Sequence, residues 1–208
     1  MKGTDNGMKR KEQLTQTYAA ILAAAREQFL SRGYQATSTR EIARQVGITQ
    51  PALYHHFNDK EAIFLAVVEE VGHETQTGIT QVNAQVQAGT LTDPVEALAA
   101  VTEVLLSVHP RDVFSVLHGS FRYLAPSNKG QLGQLLMQDY LGPLAAFFDL
   151  GLVTLRPHLS AQEAASFYLT SLSPLFNNFH QVGPADASKH EQIVILLRLI
   201  LFGIATEK

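Results

Sequence analysis

Apolar residues recur every three or four positions along most of this chain, and no stretch alternates with period two between turn signals. That pattern predicts an all-helical fold. Tyr18, Ile21, Leu22, Ala25 and Phe29 mark one face of a helix over Leu14–Arg32, which Gly33 ends. Ile42, Ala43 and Val46 mark a second, short helix, and Leu53 with Phe57 a third. Ile63, Val67, Val71, Ile79, Val82 and Val86 then hold a long apolar line to about Gln87. Gly72 and Gly78 interrupt it, each at a cost of roughly 1 kcal/mol relative to alanine. Beyond Pro94 the pattern predicts helices over 94–107, 111–124, 129–153, 160–180 and 188–204. Pro110, Pro126, Pro157 and Pro184 punctuate them, while Pro143 and Pro174 fall inside helical patterns and should kink or split them.

Residues 38–60, STREIARQVGITQPALYHHFNDK, read as helix, tight turn, helix. Ser38 and Glu41 have the spacing of a capping box, as do Asn58 and Glu61 at the start of the long helix. Gly47 supplies the turn, Thr49 an N-cap hydroxyl, and Pro51 a first-turn residue that needs no donor. Leu53 and Phe57 face back onto Ile42 and Ala43. The opposite face carries Gln50, Pro51, Tyr54, His55 and His56. This is the pattern of a helix-turn-helix, whose second helix enters a major groove of double-stranded DNA. A tight corner between two helices of an ordinary bundle is the alternative.

Charge supports a polyanion partner for one end only. Residues 1–60 hold 9 Lys and Arg against 5 Asp and Glu, a formal +4; the rest holds 7 against 14, or −7. The first 13 residues are polar, with Lys9, Arg10 and Lys11 in a row, and read as a disordered basic arm. They have no apolar core, so they are no signal peptide. The chain of 208 residues lacks cysteine, which excludes disulfides and thiolate sites and fits a reducing, cytoplasmic setting. Ile193–Ile204, IVILLRLILFGI, is interrupted by Arg198 and is short of the about 20 residues that a membrane span requires. A helix apolar on nearly every side must be covered on every side. A symmetric partner subunit is the simplest second cover, with burial inside one subunit as the alternative. The chain thus divides into an arm (1–13), a DNA-binding head (14–60) and a helical trunk (61–208) that carries the dimerisation surface.

AREQFLSRGYQATSTREIA at 25–43, GITQPALYHHF at 47–57 and DKEAIF at 59–64 resemble the tetracycline-repressor (TetR) family of bacterial regulators. The resemblance implies an all-helical homodimer. Three helices form the DNA head, a fourth links it to the trunk, and the last two helices pack on the partner. Carried over by position, Arg40, Gln50 and Pro51 read bases, while Thr39, Tyr54, His56 and Lys60 contact phosphate. Thr49 and His55 complete the expected DNA face. At Ala52 the family's founding repressor has a threonine, so a shared operator does not follow. Arginine can fork onto guanine O6 and N7, and glutamine onto adenine N6 and N7. The expected function is repression from a palindromic operator, released by a small, mainly apolar effector, with activation as the alternative.

Aromatic residues crowd the trunk, and most belong to its core. Phe114, His118, Phe121, Tyr140, Phe147 and Asn177 are the candidates for a ligand-pocket lining that is apolar with a few polar groups. No cofactor or metal is expected. His55 and His56 diverge on their helix, and the other histidines lack ligand spacing and read as surface or capping residues. An enzyme is disfavoured, because no nucleophile elbow, phosphate loop or paired carboxylates stand out. A purely protein-binding helical bundle would leave the exposed Gln50–Tyr54–His56 face without a purpose.

Overall fold

The computed structural model describes residues 3–176 and 182–203, and among these every regular element is helical. The first elements are α1 (Gly3–Ala36), α2 (Thr39–Val46), α3 (Gln50–Tyr54), α4 (Lys60–Gln87), α5 (Pro94–Val108) and α6 (Val113–Phe121). α7 (Pro126–Leu136) runs through one π-helical turn, Met137–Leu141, into α8 (Gly142–Asp149). α9 (Ala161–Ser171), a 3-10 turn at Ser173–Leu175 and α10 (Lys189–Phe202) complete the order.

Both internal prolines act where the pattern placed them. Pro143 has no N–H for the carbonyl four residues back, and the wide π-turn just before it takes up the misfit. Pro174 sits in the 3-10 turn just past the end of α9 at Ser171. The end of the 160–180 prediction, with Asn177, and Ile204 lie outside the described residues.

Three expectations are corrected. The arm expected to be disordered over 1–13 is helical from Gly3. Residues 8–13, MKRKEQ, are strong helix formers, and extending a helix that is already packed needs no new nucleus. The Ser38–Glu41 box does not close: Ser38 accepts from the Arg40 amide at 3.2 Å, while Glu41 pairs with Arg32 at 3.5 Å. At α4 the N-cap is Asp59, not Asn58, and its carboxylate accepts from the Ala62 amide at 2.7 Å. Glu61 is drawn away to the start of α7, where it accepts from the Ala125 amide at 2.9 Å and from Asn128 at 2.5 Å.

α4 spans head and trunk; its 28 residues measure about 42 Å. In the head it packs on α1, where Arg26 forks across Glu74 (2.5 and 2.6 Å) and reaches Glu70 (3.2 Å). In the trunk it packs on α5, α7, the π-turn and α8. Its two interior glycines sit at these crossings. A Cβ at Gly72 would lie 2.6 Å from an Asp139 carboxylate oxygen, and one at Gly78 would lie 2.5 Å from Val104 Cγ1. Close approach of neighbouring helices explains residues whose intrinsic propensity opposes the helix.

α8 packs on α9, and α10 packs chiefly on α5. The Tyr168 hydroxyl joins α9 to α5 through Thr102 Oγ1 at 2.8 Å. Within one protomer only part of α10 is covered: Ile193, Leu196 and Leu197 are buried, whereas Leu199 and Phe202 are 42% and 60% exposed. Phe167 of α9 is 58% exposed.

Candidate nucleic-acid interface

The helix-turn-helix is assembled by short-range chemistry. Ser38 caps α2, and Gly47 ends it in the left-handed region at φ 76°. Ile48 donates its amide to the Ala43 carbonyl at 3.0 Å, which closes the turn. Thr49 then caps α3 by accepting from the Ala52 amide at 3.3 Å. Ile42, Ala43, Leu53 and Phe57 are buried in the head core, and Tyr18 stacks on Phe57 with ring centroids 4.9 Å apart. With that face pinned, α3 presents its other side to solvent.

Arg40, Thr49, Pro51, Tyr54 and His55 are exposed, and Gln50 and His56 half-buried. Arg40 and Gln50 line one groove between α2 and α3. Among the described residues Arg40 has no ion-pair partner, so its guanidinium is not held by a neighbouring acid. Lys60 lies at the first turn of α4, half-buried, with its ammonium 4.4 Å from the centre of the Tyr34 ring. Burial lowers its pKa. Tyr34 in turn packs edge-on to Phe64 and stacks with Tyr123, so this cation is seated where head meets trunk.

Thr39 differs from expectation. It is buried, and its hydroxyl is used inside the protein: Gln50 Nε2 donates to Thr39 Oγ1 at 3.0 Å, and the Tyr54 hydroxyl lies 3.1 Å away. The face has a polar hinge beneath it that spacing alone did not reveal.

Of the six residues expected to line a ligand pocket, the four whose side chains are described, His118, Phe121, Tyr140 and Phe147, share no one cavity. His118 and Phe121 are exposed, because α6 turns its other side to α1. Phe147 is buried in a T-shaped contact with Phe148. The Phe114 side chain and Asn177 lie outside the described residues. Tyr140 borders a small cavity that it shares with Phe29, Phe64, Val71, His109 and Leu117. His109 is not a surface histidine. It is 3% exposed, with Nε2 3.1 Å from the Tyr140 hydroxyl and 3.3 Å from Thr75 Oγ1. Burial foremost, then the nearby Arg26 cation, lowers its pKa to about 4. Its spacing from Leu98, Thr102 and Leu105, all buried on α5, was the available signal. Among the described residues no group of three or more histidines, aspartates or glutamates could hold a metal ion.

The family model for bacterial regulatory proteins, tetR family, matches residues 21–67. Residues 21–67 thus carry the N-terminal domain of the TetR family. The transcriptional regulator TtgR of Pseudomonas putida is 33% identical over 98 residues, 47% of this chain and 43% of TtgR. The transcriptional activator FasR of Mycolicibacterium smegmatis is 34% identical over 92 residues, 44% of this chain and 40% of FasR. These matches thus span less than half the length of either relative. Among solved structures, the TetR-family regulator PfmR from Thermus thermophilus is 26% identical with a TM-score of 0.57, over 89% of this chain and 99% of that one. FadR from Bacillus subtilis, solved with stearoyl-CoA, shares the fold at a TM-score of 0.61 and 19% identity, over 90% of this chain and all of that one. The likeness of fold to such structures covers the trunk as well as the head. No described helix is long and apolar enough to cross a membrane.

Proposed function

We propose that this chain is a TetR-family transcriptional regulator, ligand-responsive and sequence-specific, that grips a palindromic operator as a dimer. The observation that carries the reading is the outward side of α3. Its Gln50, Pro51, Tyr54 and His55 stand beside an unpaired Arg40 on a basic head, above a core that leaves α3 no freedom to turn them inward. In this reading Arg40, Gln50 and Pro51 meet base edges, while Tyr54, His56 and Lys60 meet phosphate, the contact that fixes register without reading sequence. Repression is the mode proposed, relieved by an effector bound in the trunk, where Tyr140 and Phe147 of the expected lining are buried. FadR was solved with stearoyl-CoA and AibR with isovaleryl coenzyme A and operator DNA, so acyl-CoA thioesters are the first effectors to test.

Retention of one sequence from a random duplex pool, at two salt concentrations, tests the reading. Uniform binding of all sequences, or none, would overturn it. With a selected operator, Gln50→Ala relaxes discrimination at one base pair per half-site by about 1–3 kcal/mol. Lys60→Ala weakens all sequences alike and lowers the salt slope by about 1. Competition assays against single-base variants, and titrations across salt, separate the two effects.

A further inference from the structure

Thr39 joins the side chain placed to read a base to the side chain placed to touch phosphate. Its Oγ1 lies 3.0 Å from Gln50 Nε2 and 3.1 Å from the Tyr54 hydroxyl, and the residue is 8% exposed. We infer that Thr39 is a positioning residue that makes the phosphate contact of Tyr54 set the orientation of the Gln50 amide, and so the base preference at that position. The inference rests on the DNA-binding reading above.

Hydrogen counting gives the direction of the chain. A threonine hydroxyl has one hydrogen to give, and an amide –NH₂ can only donate. With Gln50 Nε2 donating into Thr39 Oγ1, the Thr39 hydrogen is free for the Tyr54 oxygen, its other polar neighbour. The Tyr54 hydrogen is then left to point outward. A phosphate oxygen accepts and never donates, so it completes the run Gln50 to Thr39 to Tyr54 to phosphate with each oxygen in turn accepting and giving one hydrogen. In the opposite run Tyr54 donates to Thr39, and Thr39 donates to Gln50 Oε1. The Tyr54 oxygen then faces the backbone with only lone pairs, which repel phosphate. Phosphate therefore selects the first run.

That choice matters at the base edge. With Nε2 turned inward to Thr39, Oε1 is the atom carried toward the groove. It accepts from an exocyclic amino group, adenine N6 or cytosine N4. With the amide reversed, –NH₂ would lead and suit guanine O6 or thymine O4. Burial of Thr39 limits how far water can compete for its hydroxyl. An exposed glutamine without Thr39 would sample both orientations and read poorly.

The test is selection from random-sequence duplex DNA by the full chain, carried out in parallel with wild type, Thr39→Val, Thr39→Ser and Tyr54→Phe. Wild type is expected to favour adenine or cytosine at one position per half-site by about 5- to 150-fold. Thr39→Val keeps the shape but lacks the hydroxyl, and is expected to flatten that position alone, with discrimination falling to about onefold and the salt slope unchanged. Thr39→Ser is expected to restore it. Tyr54→Phe leaves Thr39 free to donate to Gln50 Oε1 or to accept from Nε2, and is expected to add guanine or thymine to the bases accepted there. Circular dichroism melts of each variant exclude unfolding as the cause, and a Thr39→Val chain that melts early leaves Tyr54→Phe to decide by its direction. The coupling is overturned if folded Thr39→Val or Tyr54→Phe keeps the wild-type base preference. A wild-type chain that selects no sequence at all would instead remove the DNA-binding reading beneath it.

Discussion

Replacing Phe167, Leu199 and Phe202 with glutamate is expected to yield a folded monomer whose affinity for a two-half-site operator falls by about 10²–10⁴-fold. All three side chains are exposed in a single protomer, at 58%, 42% and 60%, so charge there disturbs little of the protomer's own core. They lie on α9 and α10, whose inner faces are already committed to α8 and α5. Beside them Phe148, Val153, Leu155, Leu159 and Ile200 line an apolar groove. Each large apolar side chain buried against a partner contributes about 1.5–3 kcal/mol. Three introduced carboxylates per subunit, brought together across a twofold axis, would reverse that term. Loss of the proposed dimer would leave one head per molecule, with the second half-site no longer held nearby. Sedimentation gives the oligomeric state, melting shows that the protomer folds, and a mobility shift reads the operator. A variant that stays dimeric with unchanged DNA affinity would place the interface elsewhere on the protomer.

The head was legible because its determinants are local. Gly47, Thr49 and Pro51 act on backbone within a few residues, and each does in the structure what its chemistry dictates. The helix-forming stripes were legible for the same reason, since a 3.6-residue period needs no knowledge of the neighbour it faces. Capping boxes show where such reasoning stops. Ser-x-x-Glu closes at Ser160–Glu163 and Ser188–Glu191, yet Glu41 and Glu61 are taken by Arg32 and by the start of α7. A carboxylate with a better partner from distant sequence leaves its local one. Gly72 and Gly78 looked like weaknesses in α4 and prove to be contact points, because the colliding groups come from residues 139 and 104. The trunk lining was least legible. Which side of α6 faces inward depends on its packing against α1, and nothing in the stripe of α6 alone says so.

His109 was illegible on the same ground, and it makes the trunk sensitive to acid. In the folded chain burial keeps its imidazole neutral down to about pH 4, against an ordinary value of 6.5. In the unfolded chain the ring takes up a proton below pH 6.5. Between those limits the unfolded state binds more protons, so stability falls as pH falls; below about pH 4 both states are protonated and this contribution changes no further. The difference corresponds to about 3 kcal/mol, a large share of the 5–15 kcal/mol that holds an ordinary domain. Tyr140, whose phenol burial holds neutral, offers no compensating charge. Arg26 nearby opposes protonation, while Glu74, pinned to Arg26, favours it more weakly. Glu74 is itself held below the usual carboxylate range by that pairing, so it adds an acid-labile contribution of its own at lower pH. His109→Gln keeps a hydrogen-bonding group in the cavity and removes the titration. Denaturant unfolding of both chains at intervals from pH 7 to pH 4 isolates the histidine as the difference between the two curves. The wild-type curve should drop away from the variant's through this window; parallel curves would mean that the ring protonates as readily in the folded chain as in the unfolded one, and that the junction of head and trunk is open to water.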